Sequence, residues 1–200
     1  MSRSCYIDFE VHQKGALMTL KTSQLFIISC GLALQACILV LLNGFIPTWA
    51  GHDALWVAFQ AWAVYFLAGC TVLGGIRALI GYATGIAASI AIIELMGAPG
   101  ISSLPVVDVG VGMSLAMAVA VLIVVIPAIM TESLKNMVPA LFIGSGAFFG
   151  LSQIMGGTGW EGHMAVAQAE LTYCAVGLLF GFITVGWRGM YEASLKRETK

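Results

Sequence analysis

Charge is the scarcest property of this sequence. Of 200 residues, nine are Lys or Arg and ten are Asp or Glu, while 60% are apolar. A water-soluble domain of this length needs far more polar surface than that, so a soluble globular fold is excluded. Lys and Arg are missing altogether from three of the breaks between long apolar stretches, around residues 47–55, 98–108 and 156–168. Cysteine is missing from the same three breaks, so an oxidising compartment on that side has no pair to link. The sequence also lacks a nucleophile elbow, a phosphate-binding loop, a dinucleotide fingerprint and an H-E-x-x-H zinc helix. It has no basic stripe for nucleic acid. With almost no chain outside the apolar stretches there is little mass in which to build an active site. The sequence therefore reads as a non-enzyme with no cofactor, no metal centre and no nucleic-acid partner.

What is present is six apolar stretches, at 25–46, 56–75, 78–97, 109–130, 137–156 and 169–187. A helix needs about 20 residues to cross a hydrocarbon layer of about 30 Å, and each stretch has that length. The fold class predicted is all-α, a polytopic membrane protein with six transmembrane helices. Arg3, Lys14 and Lys21 precede the first stretch, Arg77 falls between the second and third, Lys135 between the fourth and fifth, and Arg188, Lys196, Arg197 and Lys200 follow the sixth. All nine basic residues then share one side, and by the positive-inside rule both termini are cytoplasmic. The opposite side is acidic, with Asp53, Glu94, Asp108, Glu161 and Glu170.

This divides the chain into a cytoplasmic tail (1–22), a six-helix domain (23–188) and a second cytoplasmic tail (189–200). The first tail is polar and has no helical period, and Met18 offers a second start besides Met1. The run at 25–46 exceeds the roughly 7–15 residues of a signal-peptide core and lacks an A-x-A exit, so it is kept as a span. The dispersed Cys5, Cys30, Cys37, Cys70 and Cys174 show no metal-ligand spacing and read as small apolar packing residues.

The breaks carry their own chemistry. Asn43-Gly44 and Pro47 end the first span, with Trp49 and Trp56 at interfacial depth. Gly74-Gly75-Ile76-Arg77 reads as a tight inner turn that makes a hairpin of spans two and three, and Gly97-Ala98-Pro99-Gly100 stops the third. Thr131–Asn136 forms the second inner turn, and Pro139 falls in the first turn of the fifth helix, where its missing N–H costs little. The last outer loop, 156–168, ends in a short interfacial helix. Trp187-Arg188 closes the sixth span, and the tail 191–200 is too short to hold a helix alone.

Three spans on either side of the long third loop suggest a 3+3 inverted repeat, the arrangement of many transporters. Gly81-Tyr82-Ala83-Thr84-Gly85 in span three and Thr172-Tyr173-Cys174-Ala175-Val176-Gly177 in span six are its short matching segments. Three small-xxx-small pairs, Gly81/Gly85, Gly146/Gly150 and Gly177/Gly181, are the expected helix-packing residues, since glycines four apart let a neighbouring backbone approach. They serve either packing within one bundle or a homo-oligomer interface.

Polar groups at membrane depth must be compensated, which makes them informative. Gln35 lies in span one, Gln60 in span two, Glu94 in span three and Gln153 in span five. Glu94 is the only acid read as lying within a span, since Glu170, the second residue of the sixth stretch, is assigned to the outer side, and no chain of acids crosses the bilayer centre. Span four has only Ser114, with Pro127 as a kink. Span two is aromatic, with Trp56, Phe59, Trp62, Tyr65 and Phe66. If the bundle holds a pore, its candidate lining is Gln60, Trp62, Phe66, Glu94, Phe149 and Gln153. His52-Asp53 and Glu161–His163 are common polar groups in loops and are not read as a metal site.

Two segments carry a resemblance: Trp56–Gly69, with its W-x-x-Y-F-x-x-G run, and Val138–Gly150, with V-P-x-x-F-I-G-x-x-x-x-F. Over about residues 24–188 the chain resembles the domain-of-unknown-function 1097 family of small bacterial inner-membrane proteins. The resemblance implies a multi-pass protein of the bacterial inner (plasma) membrane and brings no substrate and no catalytic residue. Two functional classes stand. One is a channel or transporter for a small neutral or cationic solute; the other is a non-transporting subunit that scaffolds a larger complex. The partners expected are the lipid bilayer, a small solute, and either a second copy or a membrane-complex partner.

Overall fold

A computed structural model of the chain describes residues 22–46, 54–97, 122–123, 126–130 and 137–198. The N-terminal tail, the outer loops holding Trp49, His52-Asp53 and Asp108, the inner turn 131–136 and most of the predicted fourth span lie outside the described residues. Among the described residues there are helices and no strand. The helices are α1 (Thr22–Asn43), α2 (Leu55–Leu67), α3 (Val72–Gly97), the short α4 (Ile126–Met130), α5 (Val138–Met155) and α6 (Gly159–Glu198). Four of them, α1, α3, α5 and α6, are long and apolar enough to cross a bilayer. Together they mark an integral membrane protein.

Helix α1 shows why lipid is the right solvent. Only Gln35 and Leu39 of its 22 residues are buried, and Phe26, Leu34 and Leu41 are largely exposed on the protein surface. In water such a surface would aggregate; in hydrocarbon it costs nothing. The helix ends at Asn43, before Gly44 as the sequence predicts.

The predicted hairpin of spans two and three is displaced. Helix α2 stops after 13 residues, about 20 Å long and short of a full crossing, and α3 starts at Val72. The break therefore sits at residues 68–71, and Gly74-Gly75-Ile76-Arg77 lies within the first turns of α3. Two local features set this. Gly69 and Cys70 both take positive φ, +87° and +57°, which ends α2 in the left-handed region that glycine favours. Thr71 then accepts the Gly74 N–H on its Oγ1 at 3.0 Å, the N-cap bond that satisfies one of the free donors of a helix start. Gly74 is needed for space: a Cβ there would collide with the Ala68 carbonyl. Thr71→Ala should lower stability by about 1 kcal/mol in thermal unfolding of the detergent-solubilised protein, and Thr71→Ser should restore it.

Pro139 occupies the first turn of α5, and Gly156 closes that helix with a left-handed cap. Of the predicted fourth span only 122–123 and α4 are described, and Pro127 is the second residue of α4.

Helix α6 runs without interruption for 40 residues, about 60 Å. It merges the end of the predicted outer loop, the sixth span and most of the C-terminal tail. The tail is helical because it extends an existing helix, so no new nucleus has to form. Arg188 Nε–H donates to Glu192 Oε1 at 2.7 Å, and Trp187 stacks on Tyr191, both i,i+4 pairs.

The most extensive contacts are between α3 and α5 and between α2 and α6, while α6 also touches α1, α3 and α5. Both main pairs close through glycine. In α3, Gly81 faces Ala140 and Gly85 faces the backbone of Leu141 to Ser145. In α6, Gly177 faces the backbone of Ala58, and Gly181 faces the Tyr65 side chain. Ser89 Oγ–H donates to the Gly85 carbonyl at 3.0 Å, and that hydroxyl lies 2.7 Å from Ser145 Oγ across the α3–α5 interface. On α5 the close approach is made by Gly144, which lies against the Tyr82 backbone, whereas Gly146 has open space and Gly150 meets Trp56 at ordinary contact.

Candidate functional site on the buried face of α6

One face of α6 collects the polar groups of the core. His163, Glu170, Cys174, Gly177, Gly181 and Thr184 recur at seven-, four- and three-residue steps, which places them on a single helical stripe. All are buried. At the end nearer the C-terminus the stripe is satisfied. Trp62 Nε1–H donates to Thr184 Oγ1 at 3.0 Å, and the Thr184 hydroxyl donates to Gln35 Oε1 at 2.6 Å, with the Phe180 carbonyl as a second acceptor at 2.8 Å. This ties α1 and α2 to α6 through one hydroxyl. Higher up, Tyr173 O–H donates to Asn43 Oδ1 at 2.8 Å, pinning the end of α1.

The other half of the stripe is not satisfied by protein. Glu170 is fully buried, and among the described residues neither of its carboxylate oxygens has a hydrogen-bond partner. Tyr82 Oη on α3, Ser152 Oγ on α5 and His163 Nδ1 are likewise buried without a partner. Desolvating an ionised carboxyl costs several kcal/mol unless it is paired, so a bare Glu170 is the most expensive group in the core. It was read from the sequence as one of the outer-side acids, with Glu94 as the only acid in a span. The structure corrects both: α6 begins at Gly159, which puts Glu170 three turns inside the helix and on its buried stripe.

The stripe ends at a cleft of about 380 Å³ lined by Ile93, Glu94, Gly97, Gly157, Thr158, Gly159 and His163. His163 is 2% exposed and Glu94 61%, and His163 Nε2 lies in hydrogen-bond contact with Glu94 Oε1 at 3.2 Å. Phe148 packs on the imidazole. The histidine thus presents one nitrogen to a surface carboxylate and the other to the interior. Among the described residues no three His, Cys, Asp or Glu side chains converge to hold a metal ion.

Of the six pore-lining candidates, Glu94 alone lines this cleft. Trp62 is buried in the Thr184 network, Phe149 is half-buried, and Gln60, Phe66 and Gln153 are exposed. Of the glycines, Gly81, Gly85, Gly177 and Gly181 lie at helix contacts. The α5 contact was missed although Ala140-xxx-Gly144 has the same small-xxx-small spacing. Glu170 and His163 were missed too, and their seven-residue step in phase with Gly177 and Gly181 was the signal for both.

Residues 33–188 match the model of a family described as protein of unknown function (DUF1097). No curated protein and no solved structure matches the chain.

Proposed function

The chain belongs to this family of unknown function, and from that premise we propose that it is a membrane transporter for a small cationic or neutral solute, reached through the cleft at the head of α6. Glu170 carries the reading. A subunit that only scaffolds gains nothing from a buried carboxyl without a partner, whereas intramembrane ionisable groups mark the paths of solutes and ions. The cleft, at about 380 Å³, is near the lower end of the range for small-molecule pockets. Its wall carries the Glu94 carboxylate and no Lys or Arg, which favours cations and neutral solutes over anions.

The bundle is read as six spans in a 3+3 inverted repeat. Exchanging the halves converts span two into five and three into six, so the α3–α5 pair becomes the α6–α2 pair. Those are the two most extensive contacts, and each closes on a glycine pair four residues apart in α3 or α6. The grooves are filled from within the chain, which supports packing inside one protomer over an oligomer seam. The protein sits in a bacterial inner membrane with both termini cytoplasmic and the cleft facing outward. In a cysteine-free background, a cysteine at position 160 should label from outside and one at position 197 only after permeabilisation; the reverse pattern would refute this orientation.

Transport itself is tested by reconstitution into liposomes and a swelling or uptake panel of urea, glycerol, methylammonium and sodium. The account expects at least one neutral or cationic probe to cross faster than in protein-free vesicles. No permeation above that background would refute transport and favour the scaffold.

A further inference from the structure

We propose that Glu170 is a proton-binding site, loaded from the cleft through the Glu94–His163 pair. This deepens the transport reading by naming the ion that the core carries, and it rests on that reading only for the claim that the bound proton takes part in solute movement.

The geometry begins at the surface. Glu94 is 61% exposed and meets His163 Nε2 at 3.2 Å, while His163 itself is 2% exposed. The second ring nitrogen, Nδ1, is buried and has no partner. Seven residues further along the same stripe, about 10 Å down the axis, stand the two unpartnered oxygens of Glu170. The lining of the cleft includes His163 and not Glu170, so the carboxyl stands behind the cleft rather than in its wall. A single buried carboxyl is satisfied by a proton, and among the described residues no three His, Cys, Asp or Glu side chains converge there to hold a metal ion.

The surroundings favour the neutral acid. Among the described residues, Tyr82 from α3 and Cys174 from α6 interact electrostatically with Glu170, and neither is a cation. His163 lies two turns away on α6. Helix α5 has no ionisable side chain. Helix α2 has only Tyr65, which packs on Gly181, three turns along α6 from Glu170. No Lys or Arg is among the groups named, so nothing there compensates an ionised carboxylate. A protonated carboxyl removes that cost.

Loading balances without any further reactant. A proton on Glu94 passes to Nε2 of neutral His163, giving an imidazolium and the Glu94 carboxylate. The imidazolium releases its Nδ1 proton inward, through intervening water, to an oxygen of ionised Glu170. The histidine is left neutral with its proton on Nε2, and tautomer exchange resets it.

The test is infrared difference spectroscopy on the full chain in lipid bilayers. The wild type should show the C=O stretch of a protonated carboxyl at neutral pH, full at low pH and lost as pH rises. Glu170→Gln should abolish that band, and Glu170→Asp should keep a titrating band at shifted frequency, which separates assignment from misfolding. His163→Phe should keep the band and slow its response to a pH jump on the order of 100-fold, as expected for removal of a positioned proton carrier. A wild-type carboxyl already ionised at neutral pH would overturn the proposal, as would a band untouched by Glu170→Gln or displaced by sodium at constant pH. If the band is present but no probe crosses liposomes, the transport reading fails and the proton site stands. If probes cross and the band is absent, the proton site fails alone.

Discussion

Gly85→Leu and Gly177→Leu should each leave little or no folded protein. At both positions even a Cβ would run into the main chain of the facing helix, Leu141 to Ser145 for Gly85 and Ala58 for Gly177. Overpacking by a flexible neighbour costs about 1–3 kcal/mol because side chains move aside. A backbone carbonyl inside a helix cannot move aside without breaking its own hydrogen bond, so the expected loss is above about 4 kcal/mol, the exceptional end of single substitutions. Thermal unfolding of the detergent-solubilised protein checks this. Gly146→Ala is the control, because nothing lies within 4 Å of its Cβ position. It should change stability by no more than about 1 kcal/mol, and in the stabilising direction, since alanine is the better helix former. Because both grooves are occupied by the chain's own helices, the damage should register as unfolding rather than as dissociation of an oligomer.

Glu170→Leu should do the opposite: raise stability and abolish transport. The carboxyl is fully buried with neither oxygen bonded among the described residues, and an apolar side chain of similar volume needs no hydrogen bond there. Replacing buried charged groups by apolar ones of similar size has stabilised other proteins by about 1–4 kcal/mol, and a single neutral acid should give the lower part of that range. A residue whose loss stabilises the fold is kept for what it does, the usual trade between stability and activity. Unfolding near neutral pH measures the first effect and vesicle uptake the second. A destabilised Glu170→Leu protein would mean that Glu170 has a structural partner after all.

These two sites also show what the sequence could tell. The long spans were legible because lipid demands long apolar runs, and α1, α3, α5 and α6 each overlap a predicted stretch. Gly81/Gly85 and Gly177/Gly181 were legible because close helix packing has few chemical solutions. The α2–α3 break was not, because apolar side chains continue through it and the Gly74-Gly75 pair read as the turn, whereas the chain turns at residues 69–71. In fact Gly74 is helical and packs on the Ala68 carbonyl, a contact that exists only after the chain has turned. On α5, Gly144 and Gly146 differ by one-half turn, and which of them faces α3 is decided by tertiary packing. Glu170 was hidden by a boundary. A helix start at 169 puts it near the surface, whereas the start at Gly159 puts it on the buried stripe with Gly177 and Gly181. The extra turns come from residues 159–168, read as an outer loop ending in a short interfacial helix, although they continue one helix with the sixth span.

Paired uptake rates decide whether the buried polar stripe of α6 is a transport route. Liposomes holding equal amounts of wild type and of the near-isosteric Glu170→Gln variant should be compared for methylammonium, sodium, urea and glycerol, with protein-free vesicles as background. Wild-type vesicles should take up at least one probe, and Glu170→Gln vesicles should have lost that uptake. Equal uptake by the two proteins, or none by either, would contradict that route.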